Sequence, residues 1–373
     1  MKKAVFVIFL FFCIVTGLFI LSNLEPKMAD VSLLQAENFA LLQQQTEASV
    51  SSAPSIKKEE NHNIEKIFYI SKENLADGLA SLEKNWQKID IIAPQLYSVN
   101  SNLMMSGGMS TELKQIVKEH NLKVMPLVVN AGFNKKIMQK LFLSKPAQDE
   151  IIKGMVLLAK KNNYIGWQFD FEHIDYTHRD LFSAFVERTY KEFQKNELIL
   201  SVATVARQTD YEETEFFKNW SGVYDYERLA NSTDFISLMV YDDPNSTGPT
   251  ASIEFAEKCL EYARDKIPAE KLSFGIPLYF WKWNTDENKR IASGVFKNVL
   301  EIMENVNKHL LRFDEKLGVA SLSYFNDKEN HKVWFENGQS FKAKLDIIKN
   351  NKLRGFSAWV LGGEDPRIWD ELN

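Results

Sequence analysis

The chain has 373 residues, 45% apolar and 25% charged, enough for one large α/β core or two smaller ones. Its formal net charge of −5 and the lack of a long Lys/Arg run exclude nucleic acid as a partner, since neither a general nor a local cationic field is present. Two cysteines and six scattered histidines without an HExxH pair exclude a disulfide framework and a Cys-based metal site, so no metal or other cofactor is expected.

Residues Ala4–Leu21 form an apolar run broken only by Thr16 and Gly17, with Lys2 and Lys3 just before it. About 18 apolar residues can span a bilayer, whereas a removed signal has a core of about 7–15 followed by small residues. The flank Ser22-Asn23-Leu24-Glu25-Pro26-Lys27 has no Ala-x-Ala pattern, so residues 1–22 read as an uncleaved membrane anchor, a removed signal being the alternative. The Lys pair holds the amino end in the cytoplasm, which makes the remainder extracytoplasmic and anchored, or secreted after cleavage. Residues 23–64, with Gln43-Gln44-Gln45 and Ser51-Ser52-Ala53-Pro54, carry too little apolar surface to offset ordering entropy and read as a flexible tether.

From residue 65 onward, β-rich runs alternate with helical patterns. Strands are expected at Lys66–Ile70, Ile89–Pro94, Lys123–Val129, Ile165–Glu172, Leu198–Thr204, Asp234–Tyr241, Leu272–Leu278 and Gly355–Leu361, with helices at Thr111–Glu119, Gln148–Lys161 and Arg179–Gln194 among the gaps. Eight strand-helix units predict an α/β fold, a (β/α)8 TIM barrel over residues 65–373.

The fourth strand holds the motif Gly166-Trp167-Gln168-Phe169-Asp170-Phe171-Glu172. Side chains alternate along a strand, so Trp167, Phe169 and Phe171 form a packing face while Gln168, Asp170 and Glu172 share the other. Two acids spaced in this way have Cβ atoms roughly 7 Å apart, within reach of each other's titration. In a barrel, catalytic groups gather at the carboxyl ends of strands, where this pair falls. Strand six brings Met239, Tyr241 and Asp243 to one face at the same end. Cys259, in phase with Ala256, Leu260 and Ala263, reads as a buried small hydrophobe.

Between strands seven and eight, residues 280–353 are too many for one crossover helix. A helix at Ala292–Leu310, β-like runs at Ala320–Phe325 and His331–Phe335, and a helix at Ser340–Asn350 predict a small α+β insertion at the barrel mouth. Trp281 and Trp283 either line an outer sugar subsite or pack this insertion. The last strand delivers Trp359 to the mouth, and carboxyls, a phenol and an indole around one opening suit a sugar, whose C–H faces pack on aromatic rings.

Over roughly Lys66–Asn373 the sequence resembles glycoside hydrolase family 18, the chitinase-like family. The resemblance rests on Gly166–Glu172, Met239–Asp242 followed by Gly248-Pro249, Gly275-Ile276-Pro277-Leu278-Tyr279, and Ser357-Ala358-Trp359 running into Gly363-Glu364-Asp365-Pro366. With Val333-Trp334-Phe335 before a helix, it is nearest the spore-cortex-lytic and chitobiase-like branch. The resemblance implies hydrolysis of β-1,4 bonds next to N-acetylglucosamine, in chitooligosaccharide or peptidoglycan glycan, by a retaining, substrate-assisted route without a cofactor. Glu172 would be the general acid, Asp170 would orient the substrate's acetamido group and Tyr241 would hydrogen-bond its oxygen. Gln168, Met239, Asp242 and Trp359 make up the implied substrate-binding set, Trp359 as the floor under the sugar.

The motif departs from the family form, which has acids at the positions of Ile165 and Gln168. Gln168 removes the acid that would share a proton with Asp170, which therefore ionises more readily than it would beside an acid. The rival function is a glycan-binding protein on a catalytically weak or inactive barrel. The presence of both Glu172 and Asp170 favours the enzyme.

Overall fold

The computed structural model describes residues 63–306 and 309–372. The segment read as a membrane anchor, and the tether apart from its last two residues, lie outside the described residues. Among the described residues no helix is long and apolar enough to cross a membrane.

Eight parallel strands close a barrel: β1 (Glu65–Ile70), β2 (Ile91–Val99), β4 (Leu127–Asn130), β5 (Gly166–Asp170), β6 (Ile199–Val205), β7 (Phe235–Met239), β8 (Leu272–Pro277) and β14 (Gly355–Trp359). Ring closure comes from β1, which pairs with both β2 and β14. A short β3 (Met105–Gly107) folds back antiparallel on the end of β2. The third expected strand starts later than its apolar run because Pro126 has no N–H to give the ladder; upstream only an isolated bridge joins Val124 to Ile92.

Helices α1 (Leu75–Asn85), α2 (Thr111–Glu119), α3 (Lys135–Leu143), α4 (Lys145–Asn162), α5 (Arg179–Gln194), α6 (Tyr226–Asn231) and α7 (Ile253–Arg264) lie between the strands. Their starts follow local chemistry. Ser110, Ser144 and Ser252 each accept a backbone N–H in the first turn of α2, α4 and α7, satisfying donors that a helix leaves open. Helix α4 ends at Asn163, in the left-handed region at φ 55°.

The outward face of β5 is the aromatic surface its alternation predicts. Trp167, Phe169 and Phe171 are fully buried; Phe169 stacks on Phe185 of α5 with centroids 5.3 Å apart, and Trp167 Nε1 donates to Met155 O of α4 at 3.1 Å. Each such buried side chain contributes about 1.5–3 kcal/mol. Cys259 is buried on α7 as expected. Inside the barrel, Ile67, Ile91, Met125 and Phe235 form one apolar cluster, while Gln168, Ser201, Ser237, Ser273 and Ser357 form a buried polar layer where barrels commonly carry branched aliphatics.

The mouth carries a five-stranded antiparallel sheet built from β9 (Phe280–Asn284), β10 (Lys289–Gly294), β11 (His309–Asp314), β12 (Val319–Asn326) and β13 (Glu329–Phe335), in the order β10-β9-β13-β12-β11. The helix expected at Ala292–Leu310 is shorter, α8 (Phe296–Asn305), because β10 and β11 take its two ends. Helix α9 (Gly338–Asn350), expected as part of the insertion, packs on α7 and β8 and leads the chain into β14. Trp281 and Trp283 are 3% and 8% exposed and pack with Trp334 and Val319, so they hold the insertion together.

Candidate active site

Asp170 is the last residue of β5 and is 4% exposed; with Gly166 and Gln168 it points into the barrel. Burial raises its pKa to about 6, opposed by the Gln95 amide of β2, whose Nε2 lies 3.5 Å from Oδ2. Glu172 sits two residues past the strand end. Its carboxyl is held well above the ordinary range, first by burial and then by the negative charges of Asp170 and Asp242. Three acids in one low-dielectric mouth cannot all ionise readily. A carboxyl pKa raised in this direction is what a general acid needs near neutrality.

Tyr241 and Asp242 follow β7. The Tyr241 hydroxyl is pushed above its usual range by burial, then by Tyr69, Asp170, Asp242 and Glu172, which places the phenol among the acids. Asp242, at φ 57°, accepts from the Tyr279 hydroxyl at 2.7 Å and from Thr250 Oγ1 at 3.3 Å. Burial raises its pKa, and those hydroxyls together with the positive charge of Arg290 on β10 pull the other way. The Tyr241 and Tyr279 rings meet edge to face, 6.1 Å between centroids. Their neighbour Gly275 on β8 has no room for a side chain: a Cβ there would stand 2.5 Å from Leu238 O and 3.0 Å from Tyr241 Cε1. Met239 ends β7 half-buried. Trp359 ends β14 half-buried with its ring 5.4 Å from that of Tyr69, and its peptide bond to Val360 is cis.

Gln168, one of the implied substrate-binding residues, is engaged by the protein itself. Its amide is fully buried beneath the acids and is taken up by protein: Oε1 accepts from Tyr69 Oη at 2.7 Å, while Nε2 donates to Ser201 Oγ and Ser237 Oγ, each at 2.9 Å. Ser237 and Ser273 both bond to Ser357, at 2.8 and 2.7 Å. This network ties six strands together, and a neutral amide serves it because it both donates and accepts.

Several residues around the site have no local sequence signal. Asn130, at the end of β4, is fully buried and bonds to the backbone of Glu172 through both amide atoms. Tyr224 donates its hydroxyl to Phe171 O at 2.9 Å. Arg207, 5% exposed at the end of β6, donates to Ser221 O and Tyr224 O and lies over the Tyr226 ring at 4.3 Å. Only their lone polar character after an apolar run could have marked Asn130 and Arg207. Among the described residues, Glu83, Glu119 and His120 are grouped closely enough for a cation, but they sit at the carboxyl ends of α1 and α2, opposite the end of the barrel that holds Asp170.

Comparison with known proteins agrees with the barrel fold. The uncharacterized glycosylase YvbX of Bacillus subtilis (strain 168) is 25% identical over 303 residues, covering 78% of this chain and 86% of its own. The cortical fragment-lytic enzyme of the same organism is 25% identical over 269 residues, covering 69% of this chain and 61% of its own. Among solved structures, the spore cortex-lytic enzyme SleL of Bacillus megaterium QM B1551 superposes with a TM-score of 0.75 at 23% identity, covering 87% of this chain and 78% of that one, which supports the fold. The family model described as Glycosyl hydrolases family 18 matches residues 47–364, and the chain, a glycoside hydrolase, belongs to that family.

Proposed function

We propose that the protein cleaves β-1,4 bonds next to N-acetylglucosamine, in chitooligosaccharides or peptidoglycan glycan, with retention of configuration. The observation that carries this reading is the place of Glu172 just past the end of β5 beside Asp170, with its carboxyl raised above the ordinary range by burial and by the charges of Asp170 and Asp242. Glu172 protonates the leaving glycosidic oxygen and then, as carboxylate, activates water. The substrate's own acetamido oxygen attacks the anomeric carbon, with Asp170 orienting the amide and Tyr241 donating to its oxygen. Trp359 supplies the apolar floor. Relatives described as a cortical fragment-lytic enzyme and an endochitinase support a glycan substrate. The amino-terminal apolar segment anchors the enzyme on the outer side of the membrane.

The test is product analysis by mass spectrometry, using the full chain with chitooligosaccharides and with purified peptidoglycan. Wild type releases fragments, and Glu172→Gln loses turnover by at least about 10²-fold while still binding glycan. Equal turnover in the variant removes Glu172 from the mechanism. Binding without turnover in wild type favours the glycan-binding alternative.

A further inference from the structure

The carboxyl assigned to proton transfer sits on a stretch of backbone that regular structure has already released. The β4–β5 ladder ends at the Val129–Asp170 pair, so Phe171 and Glu172 lie beyond its last rung. At His173 the chain turns away through φ 54°. Buried backbone groups here need other partners.

Side chains provide them. Asn130 Oδ1 accepts the Glu172 N–H at 3.1 Å, and Asn130 Nδ2 donates to the Glu172 carbonyl at 3.0 Å. One amide thus holds both polar groups of one residue, from the strand neighbouring its own. The carbonyl just before is taken by the Tyr224 hydroxyl, and Tyr224 is held in turn by Arg207.

We propose that Asn130 is a positioning residue: its two-point clamp on the Glu172 backbone fixes where the Glu172 carboxyl points, with Tyr224 as a second strut. The inference rests on Glu172 being the general acid. Asn is the side chain that fits, because the clamp needs a donor and an acceptor on one short arm. Gln is a carbon too long, and Asp offers no donor to the carbonyl and brings a charge. The alternative is that the amide merely satisfies buried backbone groups, in which case its loss lowers stability and leaves the chemistry of the folded fraction alone.

Steady-state kinetics of the full chain on an aryl chitobioside separate the two. A misplacement of about 1 Å can lower the rate by 10²-fold, so Asn130→Ala should lower kcat by about that factor and leave KM nearly unchanged. Asn130→Asp keeps the acceptor but sets a negative charge against Glu172, and should move the alkaline limb of the kcat profile to higher pH. Tyr224→Phe should lower kcat with the same KM pattern. Thermal unfolding of each variant shows that the kinetics refer to folded protein; if Asn130→Ala does not fold, Asn130→Asp decides. Folded Asn130 variants with wild-type kcat and pH profile, beside an inactive Glu172→Gln, overturn the clamp and leave the acid assignment standing. An active Glu172→Gln instead overturns the acid assignment, and the clamp's purpose with it.

Discussion

At the scale of the residue, the acids are where the fold gives up stability for chemistry. Asp170 has its pKa raised by burial to about 6, above the roughly 3.9 of an unfolded chain. The folded state therefore binds this proton more tightly than the unfolded state does. Its contribution to stability is complete below about pH 4 and is lost as pH rises through about 6. A gap of about two pH units corresponds to roughly 3 kcal/mol. Asp170→Asn removes the titration, so the variant should gain stability relative to wild type between about pH 4 and 6 and hold that gain at pH 8. Urea unfolding at several pH values measures it, and parallel curves for the two proteins would contradict the assignment. The Asp-x-Glu pair was legible because alternation and a barrel context sufficed to place it. Gln168 was not, because its partners Tyr69, Ser201 and Ser237 come from three other strands and nothing near it in sequence announces them.

At the scale of elements, strands buried on both faces announce themselves, whereas the exposed edge of the insertion does not. The strand β10 is an exposed edge reading Lys-Arg-Ile-Ala-Ser-Gly, without the alternation that marks a half-buried strand. The apolar phase of α8, with Phe296, Val299 and Met303 buried, was readable in itself. Ala292 and Leu310 extended that apolar pattern past both ends of the helix, although both side chains are exposed on strands. Glycines show the same dependence on context. Gly275→Ala would drive a Cβ into Leu238 O and the Tyr241 ring, so it should destabilise by about 1–3 kcal/mol and lower kcat by displacing the phenol. Gly154→Ala is the matched control: it lies inside α4 with nothing within 4 Å of the methyl that the substitution adds, and should stabilise by roughly 0.5–1 kcal/mol with kcat unchanged. Denaturant melts and kinetics on the two variants check both signs, and similar behaviour of the pair would undo the steric account.

At the scale of the whole molecule, the barrel closes by pairing β1 with β14, joining Glu65 to Gly355 across nearly the whole described chain. That long-range closure was readable only as a count of strand-helix units, because no single residue encodes it. The amino-terminal segment poses a different question, since its expected role depends on the bilayer. The apolar run Ala4–Leu21 has about the 18 residues that a hydrocarbon core of roughly 30 Å calls for. The net charge of −5 gives the chain no general attraction to anionic lipid headgroups, so electrostatic attachment is a poor substitute for insertion. High salt screens ion pairs but does not weaken burial of an apolar span. The full chain should therefore stay in the membrane fraction through washes with high salt and with alkaline carbonate, and leave it only in detergent. A version lacking residues 1–22 should appear in the soluble fraction with the same kcat. Release of the full chain by salt, or a mature amino terminus just after residue 22, would replace the anchor with surface adsorption or with secretion.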